Sequence, residues 1–190
     1  MRLPIRALWY WPLVLASWTQ PADAPLWADL ERWKAHRDEP LSGRWLLIDL
    51  LTRYREFRSQ YYYRLRCSSV PARIAAQLGT MLYPGERTLF LLTRDIGPGF
   101  FVLHGFATIV NAESIGPGCS VAQQVTVGNR EGRGLPVFEE GVRVAPGAQV
   151  LGALTLGAGS VVGAGAVVIA DVPAGATVVG NPARIVPFAP

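Results

Sequence analysis

Apolar side chains recur at every sixth position through the C-terminal half of the chain. A fixed period of six is typical of a hexapeptide β-helix, in which each repeat supplies a short strand and a bend. One coil cannot cover its own apolar face, so coils must stack. The pattern therefore predicts a mainly β fold, a parallel β-helix, over residues 93–190. The recurring residues form three sets: Ile96 and Val102; Ile115, Val121 and Val127; and Val144, Val150, Leu156, Val162 and Val168.

Before residue 93 the apolar positions follow helical spacing instead. Asp23 is placed to cap a helix that ends before Pro40, and further amphipathic runs cover Trp45–Phe57 and Ala72–Leu82. We interpret the aromatic stripe of this region as core or subunit interface. The pattern predicts an α-helical N-terminal region over residues 1–92.

Composition supports two parts of different character. All six tryptophans lie at or before Trp45, whereas 17 of the 20 glycines follow Ile96. Basic residues outnumber acidic ones by 14 to 9 through Asp95, and then number 4 against 5. The basic excess would suit an anionic partner or a membrane surface, although a solvated helix face is the simpler interpretation. We predict no nucleic-acid partner.

The start of the chain resembles a secretory signal. Arg2 and Arg6 precede the apolar stretch Ala7–Ala16, which Pro12 interrupts. This stretch is too short to span a bilayer as a helix. We favour a packed or membrane-touching segment over a cleaved signal, and weak membrane contact stays open.

Catalytic chemistry has few candidates, because the chain has two histidines and two cysteines. Neither Cys67 nor Cys119 has a histidine near it in sequence, so we expect buried thiols and no covalent intermediate. A zinc site of the kind some β-helix enzymes use needs about three histidines, and we expect no metal. His36 lies in a charged helix end. His104 lies in a predicted coil beside an interruption of the repeat, where a general base would be well placed.

A second interruption is the polar, glycine-rich segment Gly128–Gly141. Loops on rigid scaffolds commonly carry function. The segment is not a nucleotide-phosphate loop, because it lacks the Gly-Lys-Ser/Thr ending and no strand–helix context follows.

Three segments of the C-terminal half resemble the hexapeptide-repeat acyltransferases of the serine acetyltransferase type. They are residues 96–105, 123–128 and 172–186, within a match that runs from Asp95 to Val186. The resemblance implies a left-handed β-helix, a homotrimer with active sites at subunit interfaces, and acetyl-CoA as co-substrate. It also implies direct acetyl transfer, with His104 at the position of the catalytic base.

The chain departs from serine acetyltransferases at two places. An aspartate precedes their catalytic histidine, but here that position is Leu103. An Arg-His pair in their extended loop holds the serine carboxylate, and Gly134 and Leu135 occupy those places here. Arg133 is one residue away and would partly compensate. A backbone carbonyl, Asp95 or Glu113 are candidates to orient the imidazole.

Other motifs resemble the O-acetyltransferases of capsular and lipopolysaccharide sugars. These are His104-Gly105, the Ile109–Asn111 segment and the loop ending Gly134–Val137. Our leading hypothesis is therefore acetylation of a hydroxyl on a sugar or polysaccharide precursor. The alternatives are a serine or other amino-acid O-acetyltransferase and a non-catalytic β-helix scaffold.

The resemblance assigns further residues to the two ligands. We expect the acetyl-CoA arm to lie along small residues in a groove between two β-helices, with a cation near a CoA phosphate. The residues expected to bind acetyl-CoA are Gly147, Gly163, Ala164, Gly165 and Arg184. Those expected to bind the acceptor substrate are Asn111, Gln123 and Arg133. We expect a cytoplasmic location because acetyl-CoA is found there, and the apolar N-terminal segment leaves a membrane-peripheral location open. The N-terminal helices would carry any assembly above the trimer.

Overall fold

A computed structural model describes residues 10–187 of the chain. The polypeptide forms two compact units that divide between Arg87 and Thr88, whereas the predicted domain boundary lies between residues 92 and 93. The strand Leu89–Leu91, which belongs to the second unit, accounts for the difference. The basic and apolar start of the chain, residues 1–9, lies outside the described residues.

The first unit is helical, as its apolar spacing predicts. Its elements are α1 (Trp11–Ala16), a 3-10 turn (Ser17–Thr19), α2 (Pro25–Arg37), α3 (Gly43–Arg53), α4 (Arg55–Arg66) and α5 (Val70–Leu82). The N-cap of α2 is Ala24 and no side chain caps it, so the expected cap at Asp23 is wrong. Pro25 begins the helix instead, because its fixed φ suits the first helical turn.

The predicted run Trp45–Phe57 is two helices, since Tyr54 adopts an extended backbone between them. No helix in the described part of the chain is long and apolar enough to cross a membrane.

Aromatic side chains form the core of the helical unit. Trp33, Phe57 and Tyr61 are fully buried, and the ring centroids of Trp33 and Phe57 lie 5.3 Å apart, edge to face. A buried ion pair lies in the same unit, where Arg64 Nε and Nη2 donate to Asp29 Oδ2 and Oδ1 at 2.7 and 3.0 Å. This bidentate geometry satisfies both charges where water is excluded. Two other tryptophans of this unit, Trp18 and Trp45, are exposed.

The second unit consists of short strands joined by tight bends. The strands are β1 (Leu89–Leu91), β2 (Phe101–Val102), β3 (Thr108–Val110), β4 (Ser114–Ile115), β5 (Ser120–Val121), β6 (Thr126–Gly128), β7 (Val137–Phe138), β8 (Arg143–Val144), β9 (Gln149–Leu151), β10 (Thr155–Leu156), β11 (Val161–Val162), β12 (Val167–Val168), β13 (Thr177–Val179) and β14 (Arg184–Val186).

Three sheets form the sides of a prism. Strands β1, β3, β6, β9 and β12 make the first, β4, β7 and β10 the second, and β2, β5, β8, β11, β13 and β14 the third. The chain visits the sheets in turn, and the pairs are parallel except for β13 with β14. This is the left-handed parallel β-helix that the hexads and the resemblance predict.

The inward positions are the hexad residues. Val102, Val127, Val150, Leu156 and Val162 are each 0% exposed. Successive coils are joined by backbone hydrogen bonds, for example from the amide of Leu103 to the carbonyl of Val121 at 2.9 Å. Burying each aliphatic side chain contributes about 1.5–3 kcal/mol, so stacking of coils stabilises a fold in which no single strand exceeds three residues.

Two edges of the prism concern function. The histidine edge consists of the bends that lead from the six-stranded sheet to the five-stranded sheet, at residues 103–107, 122–125, 145–148 and 163–166. The loop edge consists of the connections from the five-stranded sheet to the three-stranded sheet, which include residues 111–113 and 129–136.

Candidate functional site

His104 lies in the widest bend of the histidine edge. The inward residues that flank this bend, Val102 and Val110, are eight positions apart, whereas Val144 and Val150 on the same edge are six apart. The two additional residues are accommodated by a left-handed backbone at His104 and Gly105, each with φ of 64°. The amide of Gly105 also donates to the carbonyl of Leu103 at 2.8 Å. The bend therefore projects the imidazole from a fixed backbone.

The His104 side chain is exposed at the edge of the prism and is not buried in its interior. A left-handed φ is uncommon for a residue other than glycine, and such positions cluster at functional sites. Within residues 10–187, no hydrogen bond or ion pair reaches the imidazole. The two carboxylates that we considered for orienting it, Asp95 and Glu113, lie on the loop edge. A single chain therefore leaves the ring without the carboxylate partner that the preceding aspartate supplies in the family.

The strand register aligns three residues along the histidine edge. Val121 pairs with Val144, and Val144 with Val162. The residues two positions further on are Gln123, Pro146 and Ala164, which follow one another at about 4.8 Å per coil. In the His104 bend the two additional residues shift the register, so that Phe106 aligns with Gln123. The predicted residues His104, Gln123, Gly147 and Gly163–Gly165 thus share one edge.

The small residues of this edge are explained largely by the coil itself. A Cβ on Gly163 would lie 2.7 Å from Cγ1 of Val179, and Gly147 and Gly165 have φ of 71° and 66°. Glycine is the residue that adopts such a backbone without strain. A ligand groove is therefore not needed to explain these glycines. The observation that fits a linear ligand is the bare outer surface, since Ala164 and Gly165 are exposed and a Cβ on Gly165 would meet nothing within 4 Å.

Arg184 lies at the C-terminal end of the β-helix. It is exposed on β14, opposite Val179 of β13, and its Nη1 donates to the carbonyl of Ala183 at 2.8 Å. The neighbouring backbone is tied to the last coil, because the amide of Ala183 donates to the carbonyl of Val167 at 2.8 Å. This leaves a guanidinium at the far end of the histidine edge from His104.

Asn111 and Arg133 lie on the loop edge. The amide of Asn111 donates to the carbonyl of Val127 at 3.0 Å, and the amide of Glu113 donates to the carbonyl of Pro136 at the end of the loop at 2.8 Å. Arg133 is 72% exposed and its Nη2 lies 3.1 Å from Glu131 Oε2 within the loop. One chain therefore does not bring Asn111 or Arg133 to His104.

The loop backbone explains one departure from the family. Gly134, at the place of the family's arginine, has φ of 106°, and its Cβ would lie 3.0 Å from Cβ of Ala153. An arginine is strained in that backbone region. The loop therefore follows a path that is specific to glycine at this position.

Phe106 lies in the same bend as His104 and was not predicted from the sequence. Its side chain is 45% exposed, and it lies two residues from His104 in the same wide bend. Its carbonyl accepts the amide of Gln124 at 3.0 Å, which joins the first two bends of the edge. The signal in the sequence is the eight-residue interval between inward positions.

The buried cysteine is not a nucleophile of this site. Burial raises the pKa of the Cys119 thiol to about 11, and the thiol donates to the carbonyl of Glu139 at 3.0 Å. The thiolate is the reactive form of cysteine. Within residues 10–187 there is also no group of three or more His, Cys, Asp and Glu side chains that would hold a metal ion.

No protein-family model matches the chain. Individual proteins do match. The serine acetyltransferase of Bacillus subtilis is 35% identical over 134 residues, which are 68% of this chain and 57% of that protein. For the serine acetyltransferase of Bacillus licheniformis the match is 38% over 112 residues, 57% of this chain and 48% of that protein. The chain thus spans about half the length of these curated relatives.

A shorter relative is matched over most of its length. The serine acetyltransferase of Helicobacter pylori strain 26695 is 32% identical over 133 residues, 68% of this chain and 72% of that protein. Among solved structures, soybean serine acetyltransferase complexed with serine has a TM-score of 0.68 and 29% identity, covering 94% of this chain and 75% of that one. A serine acetyltransferase in complex with CoA has a TM-score of 0.64 and 26% identity, covering 90% and 73%.

The fold and the edge histidine define a hexapeptide-repeat acyltransferase of the serine acetyltransferase type. Within that class, the chain belongs to the serine acetyltransferase family. The expected closeness to sugar O-acetyltransferases finds no support in these relatives. They favour the alternative of a serine O-acetyltransferase over our leading hypothesis.

Proposed function

We propose that this protein is an acetyl-CoA-dependent O-acetyltransferase with serine as its acceptor and His104 as the general base. The observation that carries the proposal is the placement of His104. It is an exposed imidazole on a fixed, left-handed bend at the edge of the β-helix, in a chain of the serine acetyltransferase family.

The chemistry requires one base and no acyl-enzyme. The neutral imidazole of His104 accepts the hydroxyl proton as the acceptor oxygen bonds to the thioester carbonyl carbon. A backbone N–H stabilises the oxyanion that develops. The carbon–sulfur bond then breaks, and the imidazolium returns its proton to the departing CoA thiolate. The exposed position of the ring suits both proton transfers, because solvent-side reactants reach it without a change in the core.

A homotrimer would complete the site. His104 lies on one edge of the chain, and Asn111 and Arg133 lie on another. Threefold packing of β-helices would set the histidine edge of one subunit against the loop edge of the next. In that arrangement acetyl-CoA lies along Gly147 and Gly163–Gly165, and its phosphates approach Arg184. Because acetyl-CoA is a cytoplasmic metabolite, we place the enzyme there.

Serine is the acceptor that the relatives support. One structural relative is a serine acetyltransferase complexed with serine. The residue that binds the serine carboxylate must differ from those of the family, because Gly134 and Leu135 occupy the positions of the Arg-His pair. We assign that role to Arg133, whose exposed guanidinium is restrained only by Glu131 in the same loop.

A sugar hydroxyl is the second candidate acceptor. The specific observation in its favour is the loop itself, since a sugar has no carboxylate and needs no Arg-His pair at positions 134 and 135. Asn111 and Gln123 would then serve as hydrogen-bonding groups to ring hydroxyls.

Thiol release from acetyl-CoA separates the two acceptors. With the purified full chain, we expect turnover with free serine and none above background with nucleotide sugars or oligosaccharides. Arg133→Ala should raise the KM for serine about tenfold, the range expected for a charge-assisted hydrogen bond. Arg130→Ala, in the same exposed loop, is the matched control and should leave KM unchanged. Turnover with a sugar but not with serine would reverse the assignment, and a chain that binds no CoA would be a non-catalytic scaffold.

A further inference from the structure

His104 is the central residue of a tight three-residue turn. The amide of Gly105 donates to the carbonyl of Leu103 at 2.8 Å, and His104 between them has φ of 64°. A hydrogen bond of this span across a residue of positive φ forms the rarer and more strained kind of γ-turn. Strained backbone persists only where the surrounding structure holds it in place. The turn at His104 therefore depends on contacts at both of its ends.

The first end of the turn is held by the next coil. The amide of Leu103 donates to the carbonyl of Val121 at 2.9 Å, and Val102 is fully buried just before it. Bonds of this kind join every pair of neighbouring coils, so this contact is not particular to the histidine.

The second end is held by Thr88, which precedes β1. Ala107 is left-handed, with φ of 51°, and its amide donates to the hydroxyl oxygen of Thr88 at 2.8 Å. The next amide, that of Thr108, donates to the carbonyl of Thr88 at 2.9 Å. Thr88 and Ala107 are both exposed, so water can reach the Ala107 amide when the hydroxyl is absent. Loss of the hydroxyl should therefore change the geometry of the bend more than the stability of the core.

We propose that Thr88 is a positioning residue, whose hydroxyl fixes the turn that presents the His104 imidazole. This inference rests on the proposed function, because it takes His104 as the general base. Three of the four residues from His104 to Ala107 have positive φ, so relaxation at Ala107 is passed along a short strained segment to the imidazole. A displacement of about 1 Å can cost a large part of a catalytic rate. Thr88 acts through His104 and takes no part in proton transfer.

A second threonine makes the same kind of bond and provides a matched control. The hydroxyl oxygen of Thr93 accepts the amide of Ala112 at 2.8 Å, so Thr88 and Thr93 hold the bends before and after β3. Thr93 is 2% exposed, and Ala112 lies on the loop edge. Removing the Thr93 hydroxyl should cost at least as much stability as removing that of Thr88, but it leaves the His104 bend in place.

Steady-state kinetics of acetyl transfer test the role in the full chain. Thr88→Val keeps the shape and removes the acceptor oxygen, whereas Thr88→Ser keeps the oxygen. We expect Thr88→Val to lower kcat about 2- to 12-fold, the range for one net hydrogen bond, with the KM values for serine and acetyl-CoA unchanged. Thr88→Ser and Thr93→Val should keep the wild-type kcat. An unchanged kcat in Thr88→Val would overturn the proposal, as would an equal fall in Thr93→Val or in Thr88→Ser.

Hydrogen exchange followed by mass spectrometry tests the bend without turnover. We expect the amides of residues 103–108 to exchange faster in Thr88→Val than in the wild type or in Thr88→Ser, because the bend opens more often. Residues 119–127 of the next coil should exchange equally in all three proteins. Equal exchange of residues 103–108 in all three would contradict the proposal, and faster exchange throughout the β-helix would show a general loss of stability instead.

The role of Thr88 and the proposed function can fail separately. If the wild type acetylates neither serine nor a sugar, the function is wrong, and hydrogen exchange alone decides whether Thr88 holds the bend. If the wild type acetylates serine and Thr88→Val has the same kcat, the function stands and the role of Thr88 is wrong.

Discussion

Replacing Leu156 by alanine tests the inward register on which the β-helix depends. Leu156 is 0% exposed and lies between Phe138 of the preceding coil and Val172 of the next, both also buried. The coil is held on each side by backbone hydrogen bonds, from the amide of Glu139 to the carbonyl of Leu156 at 2.9 Å and from the amide of Gly157 to the carbonyl of Val172 at 2.8 Å. These bonds limit how far the coils can collapse into the space left by the side chain.

The expected loss of stability follows from that restraint. Replacing a buried leucine by alanine typically lowers the free energy of unfolding by about 2–5 kcal/mol, and the larger values occur where the cavity persists. We expect about 3 kcal/mol or more here. For a unit of about 100 residues this corresponds to a fall in Tm of about 12 °C or more. Ile169→Ala is the control, because Ile169 is 42% exposed and should cost no more than about 0.5 kcal/mol.

Urea unfolding followed by circular dichroism measures both variants. We expect the midpoint to fall for Leu156→Ala while the slope of free energy against urea is unchanged, which indicates a loss of stability in an unaltered fold. If Leu156→Ala lost less than about 1 kcal/mol, or no more than Ile169→Ala, position 156 would not be an inward position and the hexad register would be wrong.

Three further predictions concern the cysteines and the helical unit. An alkylating reagent should modify Cys67 in the native protein, because this cysteine is exposed. It should modify Cys119 only after unfolding, because burial raises the pKa of that thiol to about 11. Labelling of both cysteines in the native protein would show that the β-helix core is open. The ordinary pKa of the thiol is 9.0, so the protonated thiol of Cys119 adds stability that is fully present below pH 9 and is lost between pH 9 and 11. Cys119→Ala should therefore reduce the loss of stability at alkaline pH. An unaltered pH profile of stability would contradict this. Arg64→Ala removes the two hydrogen bonds that the guanidinium donates to the buried Asp29 carboxylate, and should cost about 3–5 kcal/mol in thermal or urea unfolding. The exposed Arg66→Ala should cost much less, and equal losses would show that the ion pair contributes nothing specific.

The fold could be predicted from the sequence because the β-helix repeats one physical requirement. Every sixth residue must be aliphatic to fill the interior, and Val144 through Val168 satisfy this without interruption. The helical unit was less predictable at its ends. The predicted cap at Asp23 was wrong because the helix begins at Pro25 with Ala24 as its N-cap. The break at Tyr54 has no local signal of glycine or proline.

The candidate site was predictable in part. His104 could be selected from sequence because only two histidines exist and one of them lies in a coil. Its left-handed backbone belongs to a bend that is two residues longer than its neighbours, and the sequence shows that length only as the eight-residue interval between Val102 and Val110. The acceptor was less predictable still. Its expected contacts lie in an exposed loop whose path at Gly134 differs from that required by an arginine.

Acetyl transfer by His104→Ala, measured together with CoA affinity and molecular mass on the same preparation, tests whether His104 is the general base. His36→Ala, the other histidine, is the matched control. We expect His104→Ala to turn over serine about 10²- to 10⁴-fold more slowly, to bind CoA with unchanged affinity and to keep its mass. His36→Ala should behave as the wild type. Turnover by His104→Ala at the wild-type rate would contradict the assignment of the base.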